Sequence, residues 1–168
     1  MKSSYSHIKE TWENADKVYV RGRVREWKDD SVVSRILRPT KLGRARALGY
    51  KAKQGYVMVR VRIRKSGRKR RTIRKGRHPT NVGIVKFTTS MSKQSIAERR
   101  TMKKYPNMEV LNSYKAGEDG RNHYFEVILV DPSHSSVKSD RKISWIAGKR
   151  NRAYRGLTSS MKKNRGLS

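Results

Sequence analysis

The sequence predicts an α+β fold: a small mixed or antiparallel sheet with helices, preceded by an N-terminal helical arm and joined to extended basic segments. Three observations predict it. Residues 57–64 alternate between apolar and mostly cationic side chains, residues 109–131 hold two β-rich runs around a glycine-containing turn, and the first 30 residues space their apolar side chains by three and four. These are the patterns of a strand, a hairpin and an amphipathic helix. A chain of 168 residues fits one domain, or one domain with arms. Apolar residues make up 34% of it, so the core is expected to be small for the length.

In the arm, assigned to residues 1–37, Tyr5, Ile8, Trp12, Ala15 and Tyr19 form one apolar face. Val20, Val24 and Trp27 continue it on a rotated stripe, with Gly22 as the expected break and Arg21, Arg25 and Lys28 on the opposite side. Arg38-Pro39-Thr40 ends any helix, because proline pushes the residue before it towards extended geometry. Residues 38–56 hold apolar side chains at no sustained period and read as an extended basic linker.

A body follows over residues 57–132. Val57, Val59, Val61 and Ile63 face one side of its first strand, and Met58, Arg60, Arg62 and Arg64 the other. Same-face side chains of a strand stand about 6.6 Å apart, so the guanidiniums are expected to form a row that suits repeating phosphates. Residues 65–80 are a basic loop in which Ile73 is the single aliphatic residue, and Asn81–Phe87 is a short strand candidate. Ser95-Ile-Ala-Glu98 reads as a capping box that opens a helix over about 96–104, closed at Tyr105-Pro106. Glu109–Ala116 and His123–Asp131 pair as a hairpin around Gly117–Asn122, with Phe125, Val127 and Leu129 facing the core. Val137–Trp145 packs back on the body. Residues 133–168 are otherwise a basic extension, aperiodic from Lys149 onward.

The charge distribution carries the functional reading. Between Ser31 and Ala97 stand 20 Lys and Arg and no Asp or Glu, and the formal net charge of the chain is +30. Like charges crowded into a compact state repel, so this block is expected to meet a polyanion, and nucleic acid is the polyanion that such a chain binds through phosphate neutralisation. Charge alone does not choose between RNA and DNA. The candidate contacts are Arg35, Arg38, Lys41, Arg44 and Arg46 before the strand, and Arg60, Arg62 and Arg64 on it. Arg68, Lys69, Arg70, Arg71, Arg74, Lys75 and Arg77 supply the loop, and Lys149, Arg150, Arg152, Lys162, Lys163 and Arg165 the tail. Tyr50 and Tyr56 suit either base stacking or burial.

Other classes find little support. The chain has no cysteine, which removes disulfides and thiolate chemistry. His7, His78, His123 and His134 have no metal-ligand spacing, Asp131, Ser133 and His134 read as a turn rather than a triad, and no phosphate-cradling glycine motif occurs. No enzyme, metal, cofactor, small-molecule substrate or membrane partner is therefore expected. Without an apolar leader or span, a soluble intracellular protein is expected.

Several stretches converge on one family: Arg38-Pro-Thr, Leu48-Gly-Tyr-Lys-Ala-Lys-Gln-Gly55, Val110-Leu-Asn-Ser-Tyr114, Gly117-Glu-Asp-Gly120, Phe125-Glu-Val-Ile-Leu129 with Asp131-Pro132, and Arg155-Gly-Leu-Thr-Ser159. Together they resemble the L15e family of large-subunit ribosomal proteins of archaea and eukaryotes. The resemblance implies a ribosome-bound, cytoplasmic structural constituent. Its partners would be the 23S-type ribosomal RNA and neighbouring large-subunit proteins, and its arms would be threaded into RNA. It carries RNA contacts over to Lys51, Lys53 and Gln54 and to Arg155. Eukaryotic members continue with further basic residues where this chain ends at Arg165-Gly-Leu-Ser168, so an archaeal source is expected, and the high positive charge argues against an extreme halophile. The competing reading is a DNA-compacting nucleoid or chromatin protein, which would bind generic duplex DNA.

Overall fold

Four strands, β1 (Val33–Ile36), β2 (Tyr56–Arg64), β3 (Glu109–Glu118) and β4 (Asn122–Val130), form one antiparallel sheet in the order β1-β2-β4-β3. The computed structural model describes residues 2–65 and 89–167. Of the basic loop read at 65–80, all but Lys65 lies outside the described residues, as do the strand candidate Asn81–Phe87 and seven candidate contacts, Arg68, Lys69, Arg70, Arg71, Arg74, Lys75 and Arg77.

The alternation in β2 sets the core. Val59, Val61 and Ile63 pack with Phe125, Val127 and Leu129 of β4 against Ala97 and Met102 of helix α4 (Lys93–Lys104). That helix starts three residues before its expected position. Ser92 is its N-cap, accepting from the Ser95 N–H at 3.2 Å, so no capping box forms at Ser95. Glu98 is instead fully buried and accepts from the hydroxyls of Ser113 on β3 and of Thr158 and Ser160 near the C-terminus.

The other sheet face is covered too. Helix α1 (Ser4–Glu13) ends at Asn14, and Asp16 caps α2 (Lys17–Glu26) by accepting from the Val18 N–H. The helical break therefore falls at residues 14–16 and not at Gly22, which lies inside α2 with nothing near it. Val24 and Trp27 are buried on Met58, Tyr114, Ala116, Tyr124 and Ile128. The helical reading of residues 1–37 also fails at its end, where residues 33–36 form the edge strand β1 on β2. Within the expected linker, Leu42–Ala47 is a short helix, α3, whose Ala45 has no solvent exposure. Its cationic side chains face outward, and burial of that one alanine explains why no apolar period marks it.

Beyond β4, helix α5 (Ser135–Lys138) and a 3-10 turn at Ser144–Gly148 bury Val137, Ile143 and Ile146 against Val130. The C-terminal segment then folds onto the body instead of extending from it. Ala153, Thr158, Ser160 and Met161 are buried, and helix α6 (Ser159–Asn164) lies against α4.

Candidate nucleic-acid interface

The row expected along β2 divides into an inner and an outer part. Arg60 stands opposite Glu126 on β4, which in turn stands opposite Tyr114 on β3. The register thus makes one polar row across three strands. The Arg60 side chain is 10% exposed and Glu126 is 0% exposed. Arg60 Nη2 lies 3.4 Å from Glu126 Oε1 and 3.2 Å from Thr40 Oγ1, and its Nη1 lies 3.2 Å from Asp30 Oδ2. Glu126 also accepts from the Thr40 N–H at 2.9 Å, the Thr40 hydroxyl and the Tyr114 hydroxyl. Burial beside that carboxylate pushes the Tyr114 phenol strongly up, keeping it a donor. Arg60 is therefore a structural cation. The expectation that it faces phosphate is corrected, because its side chain is nearly buried and both terminal nitrogens are taken up by partners within the fold.

The outer part opens into a cleft. Arg62 and Arg64 lie towards the end of β2, where the Lys65 N–H donates to the Arg121 carbonyl at 2.8 Å and ties the strand to the β3–β4 turn. Arg62 Nη1 donates to the Lys28 carbonyl, and Arg100 reaches over from α4 to the Arg62 carbonyl at 3.5 Å. Val32, Arg62, Arg64, Lys65, Arg100, Gly120, Arg121 and Asn122 line an open cleft of about 880 Å³. Five of these eight described residues are cations and none is a carboxylate. A second opening of about 470 Å³ shares Lys65 and Gly120 and adds Arg21, Arg25 and Lys28, with Glu118 and Asp119 at its wall. Glu118 is taken up by the protein. It lies 2.7 Å from Lys115 Nζ, 3.4 Å from Lys65 Nζ and 2.9 Å from His123 Nδ1, and the hydrogen bond from Lys115 does most to hold its carboxyl down at about 2.

The remaining candidates divide the same way. Arg35, Arg38, Arg44, Lys149, Arg150, Arg155, Lys162, Lys163 and Arg165 are exposed. Arg46 is exposed but donates to the Tyr5 hydroxyl and lies 5.0 Å from the centre of that ring. Lys41 is partly buried 5.8 Å from the Trp12 ring, and burial lowers its pKa. Arg152 is buried, and it donates to the carbonyls of Val110 at 2.6 Å and Leu111 at 3.1 Å. Its place among the phosphate contacts is corrected for the same reason as that of Arg60.

The two lysines of the Leu48–Gly55 motif are engaged by the protein at its surface. Lys51 and Lys53 lie 2.6 and 2.8 Å from Asp140, and Lys53 donates to the Ser136 carbonyl at 2.8 Å. These two lysines, Lys51 first, hold the Asp140 carboxyl well below the usual carboxylate range, and the same contact raises Lys51. Gln54 uses its carbonyl to accept from the Ser136 hydroxyl, and its side chain is left exposed. Tyr50 and Tyr56 meet edge to face at 6.2 Å and are partly buried against the core. Among the described residues no His, Cys, Asp and Glu cluster could hold a metal ion, and no helix is long and apolar enough to cross a membrane.

Lys65, Arg100 and Arg121 are cleft residues that the sequence reading did not single out. They are separated along the chain; the pairing of Arg64 with Asn122 joins Lys65 to Arg121, and the packing of α4 on β2 brings Arg100 over them. That register was the available signal, because a β2 strand paired along its whole length with β4 must end at the turn.

The family model described as Ribosomal L15, of the L15e family, matches residues 3–168. The chain is 48% identical to the large ribosomal subunit protein eL15 of Methanocella arvoryzae over 99% of its own length and 88% of that relative. It is 51% identical to the eL15 of Methanococcoides burtonii over 95% of its length and 84% of that relative.

Proposed function

The chain belongs to the L15e family of ribosomal proteins, and from that premise we propose that it is a structural constituent of the large ribosomal subunit that binds and stabilises folded ribosomal RNA. The family is one of structural constituents and not of enzymes. The observation that carries the RNA reading is the acid-free cleft of Arg62, Arg64, Lys65, Arg100 and Arg121. Lys65 shares Glu118 with Lys115, but Arg62, Arg64, Arg100 and Arg121 have no carboxylate partner among the described residues. Cations gathered in this way are costly, and a phosphate backbone is the ligand that relieves them while releasing counterions.

Two roles follow for the basic residues. Arg60 and Arg152 spend their charge inside the protein, Lys51 and Lys53 pair with Asp140 at its surface, and these contacts fix its shape. Arg64, Arg100 and Arg121, with Arg35, Arg38, Arg44 and the exposed cations of residues 149–165, neutralise phosphates of adjoining RNA segments and let them approach one another. The protein would thus be ribosome-bound in the cytoplasm, against 23S-type RNA and neighbouring large-subunit proteins.

Gradient sedimentation of cell extract at rising salt tests this. The chain is expected to travel with large subunits and to leave them only at salt that competes with many phosphate contacts. A pool that ignores ribosomes, or that travels with chromosomal DNA, contradicts it.

A further inference from the structure

The 3-10 turn at Ser144–Gly148 is pinned from beneath by Ile143 and Ile146, both buried against Val130 and Val137. Between those two anchors Trp145 points away from the core and remains 46% exposed. Its ring is nevertheless fixed. The indole N–H donates to the Lys142 carbonyl at 3.1 Å, and the Arg152 guanidinium lies 4.7 Å from the ring centre. That guanidinium is itself held by the carbonyls of Val110 and Leu111 and is buried.

These contacts decide which part of the ring is free. One face is covered by Arg152 and the N–H edge is used, so a side chain that still exposes 46% of its surface presents its opposite face to solvent. The surroundings are cationic. Arg141, Lys142, Lys149 and Arg150 are exposed within five residues of Trp145, and no Asp or Glu occurs from residue 141 to the end of the chain. The nearest carboxylate in sequence, Asp140, is engaged by Lys51 and Lys53. An immobilised aromatic face costs little further entropy on binding, and flanking cations favour a polyanion whose own flat groups can cover that face.

We propose that Trp145 is a stacking platform for an unpaired nucleobase of RNA, a site distinct from the cleft and resting on the RNA reading above. Base–aromatic stacking tolerates any base and gives affinity that does not depend on salt in the way phosphate contacts do.

The test uses the full chain and two single-stranded probes of about 12 nucleotides, an oligoadenylate and a ribose-phosphate strand of equal length without bases. Trp145→Leu is expected to weaken oligoadenylate binding by about 5-fold or more, with binding of the baseless strand and the salt slope unchanged. Trp145→Phe should keep most of the affinity. Equal loss on both strands, or loss on neither, overturns the proposal. Because Trp145 also covers Arg152, ultraviolet cross-linking of unaltered large subunits provides a second measurement. A nucleotide adduct on Trp145 supports the platform, whereas a cross-link from Trp145 to a protein, or none at all, overturns it. If the unaltered chain binds neither probe, the RNA reading itself fails and this inference fails with it.

Discussion

The Arg60 guanidinium lies 4.1 Å from the centre of the Trp27 ring, and this contact closes the N-terminal segment over the sheet. Trp27 also meets Tyr124 edge to face at 5.5 Å, while Thr40 and Asp30 reach the same guanidinium from the chain that follows. A cation on a strand has thereby become an anchor of a segment whose fully buried apolar side chains, among the described residues, are Val24 and Trp27. The residue is paired, stacked and hydrogen-bonded at once, a combination that suits arginine better than lysine.

Arg60→Gln is accordingly expected to destabilise the fold by about 3–5 kcal/mol, because it leaves Glu126 buried without its cation. Denaturant unfolding measures this as a lower midpoint. Arg64→Gln, at an exposed position, should change stability by no more than about 0.5 kcal/mol. A mild effect at Arg60 would mean that the row across three strands does not hold the arm.

Glu98→Ala is expected to cost about 3 kcal/mol or more, since each buried hydroxyl left unsatisfied costs about 1–3 kcal/mol and Ser113, Thr158 and Ser160 all lose their acceptor. The loss should be visible first in the C-terminal segment. Hydrogen exchange in the RNA-free protein should show the amides of Leu157 and Lys162, which donate to Arg152 and Thr158, protected in the parent chain and open in the variant. Fast exchange there in the parent would mean that the tail is a free extension.

Gly55 ends the Leu48–Gly55 motif at φ +87°, and a Cβ there would meet Val137 Cγ2 at 2.6 Å. Gly55→Ala should cost about 1–2 kcal/mol for the left-handed backbone and about 1–3 kcal/mol more for overpacking. A thermal melt suffices to measure it. Gly120→Ala, where an added Cβ would meet nothing within 4 Å, should be close to neutral.

The β3–β4 turn makes stability depend on acid pH. Burial works to raise the Asp119 pKa, but hydrogen bonds from the Asn122 side chain and backbone, the Arg121 N–H and the Tyr124 hydroxyl outweigh it and hold the group at about 2, below its ordinary 3.8. A carboxyl depressed on folding contributes stability that is complete above its unfolded value and is lost as pH falls through its folded value. Unfolding midpoints should therefore decline between about pH 4 and pH 2, and Asp119→Asn should flatten that decline. An equal decline in the variant would place the titration elsewhere.

Sequence pattern was enough for β2, β3 and β4, where β-branched and aromatic residues alternate around turn residues, and for the basic character of the surface. It was not enough for elements whose buried groups are polar or few. Nothing in Arg152, Thr158 and Ser160 resembles a core pattern, because their burial rests on carbonyls and on Glu98 rather than on apolar contact. The short helix at 42–47 is held by Ala45 and the strand at 33–36 by pairing with β2, and neither leaves a period. The row at Arg60, Arg62 and Arg64 was legible as a row but not as a divided one. Alternation reports which side chains share a face, and says nothing of what another part of the chain lays over that face.

The division itself is open to direct measurement, through the salt dependence of binding to large-subunit RNA. Replacing Arg64, Arg100 and Arg121 together by Gln should reduce the slope of log affinity against log salt by about 2–3, since each lost phosphate contact removes about 0.7–0.9, while the unfolding midpoint stays where it was. An unchanged slope in that triple variant, with the protein still folded and still bound to RNA, would contradict the assignment of the cleft to phosphate.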